Sequence, residues 1–284
     1  MSGTWAGILL CAAVGFAVAA GSATPAIRRA PPTLVRVNFR GARVPAVLGL
    51  CVRLGGLAGV AVSAILLAAS VVQGADAGAT ASAGLVVAIL GAAGAWDDRR
   101  GDERPRGFRG HLEAAGSGVL TGGAVKALAG AAAGLAAGAL TSSGWEIVTT
   151  GAVIALTANL INLLDRAPGR AAKAGLLMGI PLLAAGPPGW AIAGAGTLGA
   201  AAGVLPADLA ERGMLGDSGA NVLGGVIGLG LAASIPFSWQ IAAAGALLAL
   251  NGASERWSFS EAIERTPPLR VLDRLGQTRR SKEP

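Results

Sequence analysis

The sequence has little charge, one histidine and two cysteines. Charged residues make up 14% of its 284 residues, roughly half the share that a soluble globular domain carries. With many long apolar runs, this shortage excludes an ordinary cytosolic enzyme, a disordered chain and a nucleic-acid-binding domain. Cys11 and Cys51 lie in apolar runs and form no metal or redox pattern. A single histidine, His111, excludes a histidine-rich metal site.

Long apolar segments, by contrast, are abundant in the sequence. Hydrophobic residues make up 53% of the chain. We predict an all-α, polytopic transmembrane helix bundle of about nine spans, because only helices satisfy their backbone polar groups within such segments. Glycine and alanine dominate these segments, which predicts close helix packing. The apolar stretches lie near 5–25, 45–72, 81–96, 118–140, 146–164, 174–186, 189–206, 219–235 and 239–252.

The connections between these stretches differ sharply in charge. Almost every lysine and arginine lies in the connections at 26–44, 97–117, 165–173, 207–218 and 253–284. The alternate connections, at 73–80, 141–145, 187–188 and 236–238, contain none. Basic loops stay in the cytoplasm. We therefore predict a multi-pass protein of the plasma membrane with its N-terminus outside and its C-terminus inside.

The chain divides into a transmembrane domain, 1–252, and a cytoplasmic tail, 253–284. Apolar residues such as Leu269 and Leu272 alternate with Arg270 and Arg274 in the tail, and the break at 266–268 divides this pattern in two. The pattern predicts a pair of short amphipathic helices on the cytoplasmic membrane face. A solvated tail is the alternative.

Two adjacent acids, Asp97 and Asp98, stand where the third predicted span meets the cytosol. Adjacent carboxylates repel, and a divalent cation with a preference for oxygen ligands, Mg²⁺ or Mn²⁺, would offset the repulsion. An ordinary charge pair at a helix end is the alternative.

Three further polar residues lie at the inner end of the fifth predicted span. Asn159, Asn162 and Asp165 recur at intervals of three residues, close to one helix face. Polar groups in such a position are costly and are usually functional. Packing between helices is the alternative for the two asparagines.

The segment 216–219 (Gly-Asp-Ser-Gly) opens the eighth span, and Lys126 lies a few residues into the fourth. Glycines flanking Asp217 allow close approach to a ligand, and a helix N-terminus favours phosphate. The alternative is a simple helix cap by Asp217 or Ser218. Lys126 needs an anionic partner, for which Asp97, Asp98 or a bound phosphate would serve, or it must extend to the interface.

These acids and one lysine come from several spans and are expected at one membrane face. Carboxylates, Mg²⁺ and a lysine are the groups that transfer between phosphates requires. Because the groups lie at the bilayer edge, one substrate can be a lipid phosphate and the other a soluble nucleotide.

In its motifs the chain resembles the polyprenyl-phosphate glycosyl-1-phosphate transferases. This family includes phospho-N-acetylmuramoyl-pentapeptide transferase and UDP-N-acetylglucosamine-1-phosphate transferases. The resemblance covers about 26–252. Its elements are, in order, residues 44–49 (Val-Pro-Ala-Val-Leu-Gly), Asp97-Asp98, Lys126, Asn159-x-x-Asn162-x-x-Asp165 and Gly216-Asp217-Ser218-Gly219.

The resemblance implies roles for these residues. Asp97, Asp98 and Asp217 would be catalytic and would hold Mg²⁺. The residues that would bind the nucleotide-diphosphate substrate are Lys126, Asn159, Asn162 and Asp165. The chain departs from the family pattern at Pro168, which replaces a second acid, and it has neither the family's final histidine-rich loop nor its tenth span.

The expected function is transfer of a sugar-1-phosphate from a nucleotide-diphosphate sugar, with UDP as the expected nucleotide, to a polyprenyl phosphate. The reaction would take place on the cytoplasmic leaflet and serve cell-envelope glycan assembly. The partners are then the membrane, the polyprenyl phosphate lipid and the sugar nucleotide, and no nucleic acid; a homodimer is left open. The alternative is a non-catalytic homologue that binds lipid phosphate as a scaffold or regulator.

Overall fold

A computed structural model describes residues 2–38, 41–100 and 122–278 of the chain. Within these residues there are eleven α-helices, one 3₁₀ turn (Pro32–Leu34) and one two-stranded sheet. The helices are α1 (Ser2–Arg28), α2 (Leu48–Ala68), α3 (Ala77–Arg100), α4 (Gly122–Thr141), α5 (Glu146–Leu164), α6 (Arg170–Ala185), α7 (Pro188–Leu209), α8 (Gly216–Ser234), α9 (Phe237–Ala253), α10 (Phe259–Arg265) and α11 (Pro267–Arg274).

The helical prediction is confirmed, since each of the nine apolar stretches overlaps one of the helices α1 to α9. Among the described residues, six helices (α1 to α5 and α7) are long and apolar enough to cross a membrane. Helices α6 and α9 have only 16 and 17 residues, and a helix of that length reaches about 25 Å against a hydrocarbon core of roughly 30 Å. The count of nine spans therefore stays a prediction.

The all-α prediction missed a short β-hairpin. Strand β1 (Val35–Val37) pairs antiparallel with β2 (Arg43–Pro45) inside the segment that the sequence indicated only as a basic loop. Valines at three of the six strand positions favour extended backbone. The hairpin also reaches the bundle, because the guanidinium of Arg36 donates to the backbone carbonyl of Asp98.

Helix α8 lies at the centre of the bundle. It packs against α2, α3, α5, α6 and α7, and fifteen of its 19 residues are buried. Seven of these positions are glycine or alanine between residues 219 and 232, so neighbouring helices approach closely, as the composition predicts. The start of α8, which carries Asp217, is thereby surrounded by the ends of other helices.

The connections with lysine and arginine and those without were predicted to lie at opposite ends of the bundle, and the contacts between them agree. At one end the backbone N–H of Leu48 donates to the carbonyl of Met214 at 3.2 Å, and the N–H of Thr278 donates to Leu209 at 3.3 Å. At the other end the hydroxyl of Thr4 donates to the carbonyl of Gln73 at 3.1 Å. The end with the basic connections is the one that carries the acidic residues predicted to be functional.

The predicted pair of short helices in the tail is confirmed as α10 and α11, divided at Thr266. Ser258 caps α10 by accepting the backbone N–H of Glu261. Residues 279–284 of the tail and His111 lie outside the described residues.

Candidate functional site

Lys126 connects two of the predicted acids. Its Nζ lies 3.0 Å from Asp97 Oδ2 and 2.7 Å from Asp217 Oδ2. Asp97 stands at the end of α3, Lys126 in the first turns of α4 and Asp217 in the first turn of α8. All three side chains are about three-quarters buried, so their attraction is screened less than that of a surface pair. Of the partners considered for Lys126, the structure gives Asp97; Asp217 is a second partner that was not predicted.

Asp98 points to a different place from its neighbour. Its Oδ1 accepts the backbone N–H of Asp217 at 2.9 Å, and its Oδ2 accepts that of Ser218 at 3.0 Å. These are two of the free N–H groups at the start of α8, where the helix dipole also favours a negative charge. Asp98 therefore caps α8 from another helix, and no side chain from the preceding residue caps it. The alternative of a cap by Asp217 or Ser218 is replaced by this contact.

Two glycines allow the backbones around Asp217 to meet. A Cβ at Gly94 of α3 would lie 2.5 Å from the backbone of Asp217 and Ser218. A Cβ at Gly49 of α2 would lie 2.3 Å from the backbone nitrogen of Gly219. Such distances are far below van der Waals contact, so neither position has room for a side chain. The glycine that ends the predicted 44–49 motif is thus explained by packing against the start of α8.

The same motif also binds the segment before α8 through its backbone. The N–H of Met214 donates to the carbonyl of Pro45 at 2.9 Å, and the carbonyl of Met214 accepts from Leu48. Residues 44–49 therefore support the segment that leads to Asp217 from one side, while α3 supports it from another.

Asp165 reaches the same start of α8. It ends α5, is half-buried, and lies beside the backbone N–H of Gly216. Partial burial raises the pKa of Asp165 well above its usual range; the negative charge of Asp208 adds to this, and the nearby N–H of Gly216 opposes it. The structure thus brings four of the predicted residues, Asp97, Asp98, Asp165 and Asp217, to one place.

Two acids beside this place, Asp208 and Glu211, were not predicted from the sequence. Asp208 is 3% exposed, and its carboxyl lies near the backbone N–H of Gly169. Its Oδ2 has no hydrogen-bond partner in the described part of the chain. Glu211 is also buried and accepts from the amide of Asn38 at 2.6 Å. The sequence signal for them was the spacing of the two acids, three residues apart in the connection 207–218. That connection was interpreted only through its basic residues.

The two predicted asparagines, Asn159 and Asn162, differ from each other in their contacts. Asn159 donates to Asn251 Oδ1 at 2.5 Å, and the amide of Asn251 donates to the carbonyl oxygens of Leu156 and Leu247. This network joins α5 to α9, which is the packing role considered as the alternative. Asn162 is half-buried one turn before Asp165, and no hydrogen bond to its side chain is found within the described ranges. The role of Asn162 as a substrate contact therefore stays a prediction, whereas Asn159 has a structural partner.

The described residues contain no group of three or more histidine, cysteine, aspartate or glutamate side chains placed to hold a metal ion. Two carboxylate oxygens nevertheless converge on one point, where the ammonium of Lys126 now lies. Mg²⁺ is commonly bound by one or two carboxylates together with substrate phosphates and water. Asp97 and Asp217 would match that mode if a diphosphate were bound beside them.

Comparison with known protein families gives no matching family model, and comparison with curated proteins gives no match either. The function is therefore inferred from the residues and geometry described above.

Proposed function

We propose that the protein is an Mg²⁺-dependent membrane transferase that moves a sugar-1-phosphate from a nucleotide-diphosphate sugar, with UDP as the nucleotide, to a polyprenyl phosphate. The reaction would take place at the cytoplasmic face of the plasma membrane. The observation that carries the proposal is the ammonium of Lys126 held between Asp97 and Asp217 at one end of an apolar bundle. This arrangement supports the proposal, because it brings two carboxylates that would hold a metal together with a cation that would bind a diphosphate.

Mg²⁺, or Mn²⁺ in its place, would neutralise the diphosphate oxygens when bound. Asp97 and Asp217 would hold it, and Lys126 would bind the phosphate that becomes the leaving group. Asn162 and Asp165 would contact the soluble substrate. Asp98 would keep Asp217 in position through the backbone of α8.

The reaction exchanges one phosphoanhydride bond for another. An oxygen of the polyprenyl phosphate bonds to the β-phosphorus of the sugar nucleotide, and the bond from that phosphorus to the bridging oxygen breaks. The bridging oxygen leaves with its electron pair on the nucleoside monophosphate. The lipid product is a polyprenyl-diphosphate sugar.

The test is release of nucleoside monophosphate from a panel of UDP-sugars by purified protein with undecaprenyl phosphate and Mg²⁺. We expect release that requires both the lipid and the metal. Asp217→Asn should reduce it by on the order of 10²-fold or more. Glu264→Gln, which changes an exposed tail carboxylate, is the matched control and should retain full turnover.

A scaffold that binds lipid phosphate without catalysis is the second candidate. The segment 165–170 favours it, because this segment departs from the family pattern and is bound by the protein's own tail: the guanidinium of Arg170 pairs with Asp273, and the carbonyl of Pro168 accepts from Gln277. Saturable binding of undecaprenyl phosphate without monophosphate release from any sugar nucleotide would support the scaffold and reject the transferase.

A further inference from the structure

The described part of the C-terminal tail, residues 253–278, is joined to the first residue of α6 by a buried ion pair. Arg170 Nε lies 2.7 Å from Asp273 Oδ1, and Arg170 Nη2 lies 2.9 Å from Asp273 Oδ2. The two side chains are only 11% and 10% exposed. Arg170 Nη1 donates in addition to Ser260 Oγ at 2.8 Å. All three of these hydrogen bonds go to the tail, so this arginine is engaged by the protein itself.

Lys173, one turn further along α6, also binds the tail. Its Nζ donates to the carbonyl oxygens of Leu272, Asp273 and Leu275, at 2.9, 2.6 and 3.0 Å. These carbonyls lie at the end of α11, where a helix leaves its acceptors free and favours a cation. Two basic side chains of one helix therefore hold the last turn of α11.

The loop is enclosed from both sides. On one side Gly169, with a φ of +69°, lies against Leu209, and a Cβ there would approach the leucine side chain to 2.5 Å. The N–H of Gly169 also lies near the carboxyl of Asp208. On the other side Gln277 donates to the carbonyl of Pro168 at 3.2 Å.

The tail also reaches the end of α7, where the N–H of Thr278 donates to the carbonyl of Leu209 at 3.3 Å. It therefore contacts both segments that lead to the acidic site, the loop that follows Asp165 and the connection that precedes Asp217. A movement of either segment would break contacts with the tail.

The other ion pairs of the tail differ in burial. Arg265 and Glu261 are 78% and 58% exposed, and Arg274 and Glu264 are exposed to a similar extent. Exposed pairs contribute little to stability, whereas removal of one partner from a buried pair leaves an uncompensated charge. The Arg170–Asp273 pair is thus the contact on which attachment of the tail depends.

We propose that the tail holds residues 165–170 in the conformation that presents Asp165 to the start of α8, and that Arg170 and Asp273 are positioning residues for the soluble nucleotide-diphosphate substrate. This inference rests on the proposed function for its kinetic part. Its structural part, the coupling of tail and loop, stands independently. Neither residue contacts the reacting atoms in this account.

The structural part is tested by hydrogen exchange on the full-length protein in detergent. Asp273→Asn should accelerate exchange of the tail amides and also of the Gly169 and Gly216 amides, by about tenfold or more. Glu264→Gln is the control on the same tail and should leave the exchange of the tail amides and of the two glycine amides at wild-type rates. Asp273→Glu should restore the protection of these amides. Fast exchange in the tail with unchanged exchange at Gly169 and Gly216 would overturn the proposal.

The kinetic part uses the UDP-sugar that gives the fastest turnover. Asp273→Asn should raise KM for that sugar nucleotide about tenfold, while kcat and KM for undecaprenyl phosphate stay within about twofold of wild type. A fall in kcat of about tenfold, with both KM values unchanged, would overturn the positioning role. Absence of turnover in the wild type would reject the transferase instead, and hydrogen exchange would then decide on the tail alone.

Discussion

Asp98 accepts the backbone N–H of Asp217 at 2.9 Å, so one acid of the Asp97–Asp98 pair is bound to the helix that carries the third acid of the site. Its neighbour Asp97 instead shares the ammonium of Lys126 with Asp217. Adjacent residues on a helix point about 100° apart, and here this difference separates a helix cap from an ion pair. The two aspartates should therefore respond differently to the same substitution.

Asp98→Asn should lower the free energy of unfolding, because one of the two N–H groups at the start of α8 would then face an amide instead of a carboxylate oxygen. The expected loss is about 1–2 kcal/mol. Asp97→Asn should change stability little, since Asp217 remains as a partner for Lys126, yet it should abolish transfer. Thermal melting in detergent and monophosphate release measure the two effects. Equal melting temperatures for the two variants would argue against the capping role.

The sequence was sufficient to predict the helices and the principal polar residues. Asp97, Lys126 and Asp217 are conspicuous because each interrupts or borders an apolar run, and a charge there needs a partner. Their order along the chain and the bias of the basic connections placed them at one end of the bundle. The contact of Lys126 with Asp97 was among those predicted, whereas its contact with Asp217 was not.

Other features depend on the orientation of neighbouring helices, which a single sequence does not specify. The spacing of Asn159 and Asp165 indicates one helix face, but Asn159 contacts α9 and Asp165 contacts α8. Asp208 is buried by the loop at Gly169, a contact between segments far apart in sequence. The hairpin was missed because its strands are only three residues long, too short for an alternating pattern to stand out.

Gly94→Ala tests the close approach of α3 and α8. The added methyl group would meet the backbone of Asp217 and Ser218, which cannot rotate away, so the helices must separate. We expect a loss of about 1–3 kcal/mol together with a large loss of transfer. Gly245→Ala is the control, since nothing lies within 4 Å of a Cβ there, and it should be neutral in both assays. Full activity of the Gly94 variant would show that the start of α8 tolerates displacement.

Asn251→Ala separates packing from substrate binding at Asn159. If the asparagine pair only joins α5 to α9, then Asn159→Ala and Asn251→Ala should each cost about 0.6 kcal/mol and leave KM for the sugar nucleotide unchanged. Asn162→Ala should raise that KM instead. A rise in KM for the Asn159 variant alone would restore its predicted role as a substrate contact.

Single cysteines at positions 143 and 278 test the predicted sidedness. Cys11 and Cys51 are buried, so they should contribute little background, and both test positions are exposed. Ser143→Cys should react with a membrane-impermeant maleimide in intact cells, because its connection contains no lysine or arginine. Thr278→Cys should react only after permeabilisation. Labelling of both from the same side would show that the nine-span topology is wrong.

Lys126→Met addresses the metal site, because the ammonium now occupies the point on which Asp97 and Asp217 converge. Without it the two carboxylates repel each other, so the metal-free protein should melt at a lower temperature than wild type. A divalent cation would no longer compete with the lysine. Mg²⁺ should therefore raise the melting temperature of this variant by more than it raises that of wild type, since the ion binds only the folded state.

Transfer should nevertheless fall by about 10²-fold in Lys126→Met, because the charge that binds the leaving phosphate is gone. Lys126→Arg is the matched control: it keeps the positive charge between the acids and should show the Mg²⁺ response of wild type. The combination of tighter Mg²⁺ binding and lost transfer distinguishes a lysine that serves the reaction from one that merely neutralises two acids. If Mg²⁺ stabilised Lys126→Met no more than it stabilises Asp217→Asn, the two carboxylates would not be a metal site, and the scaffold would become the better account.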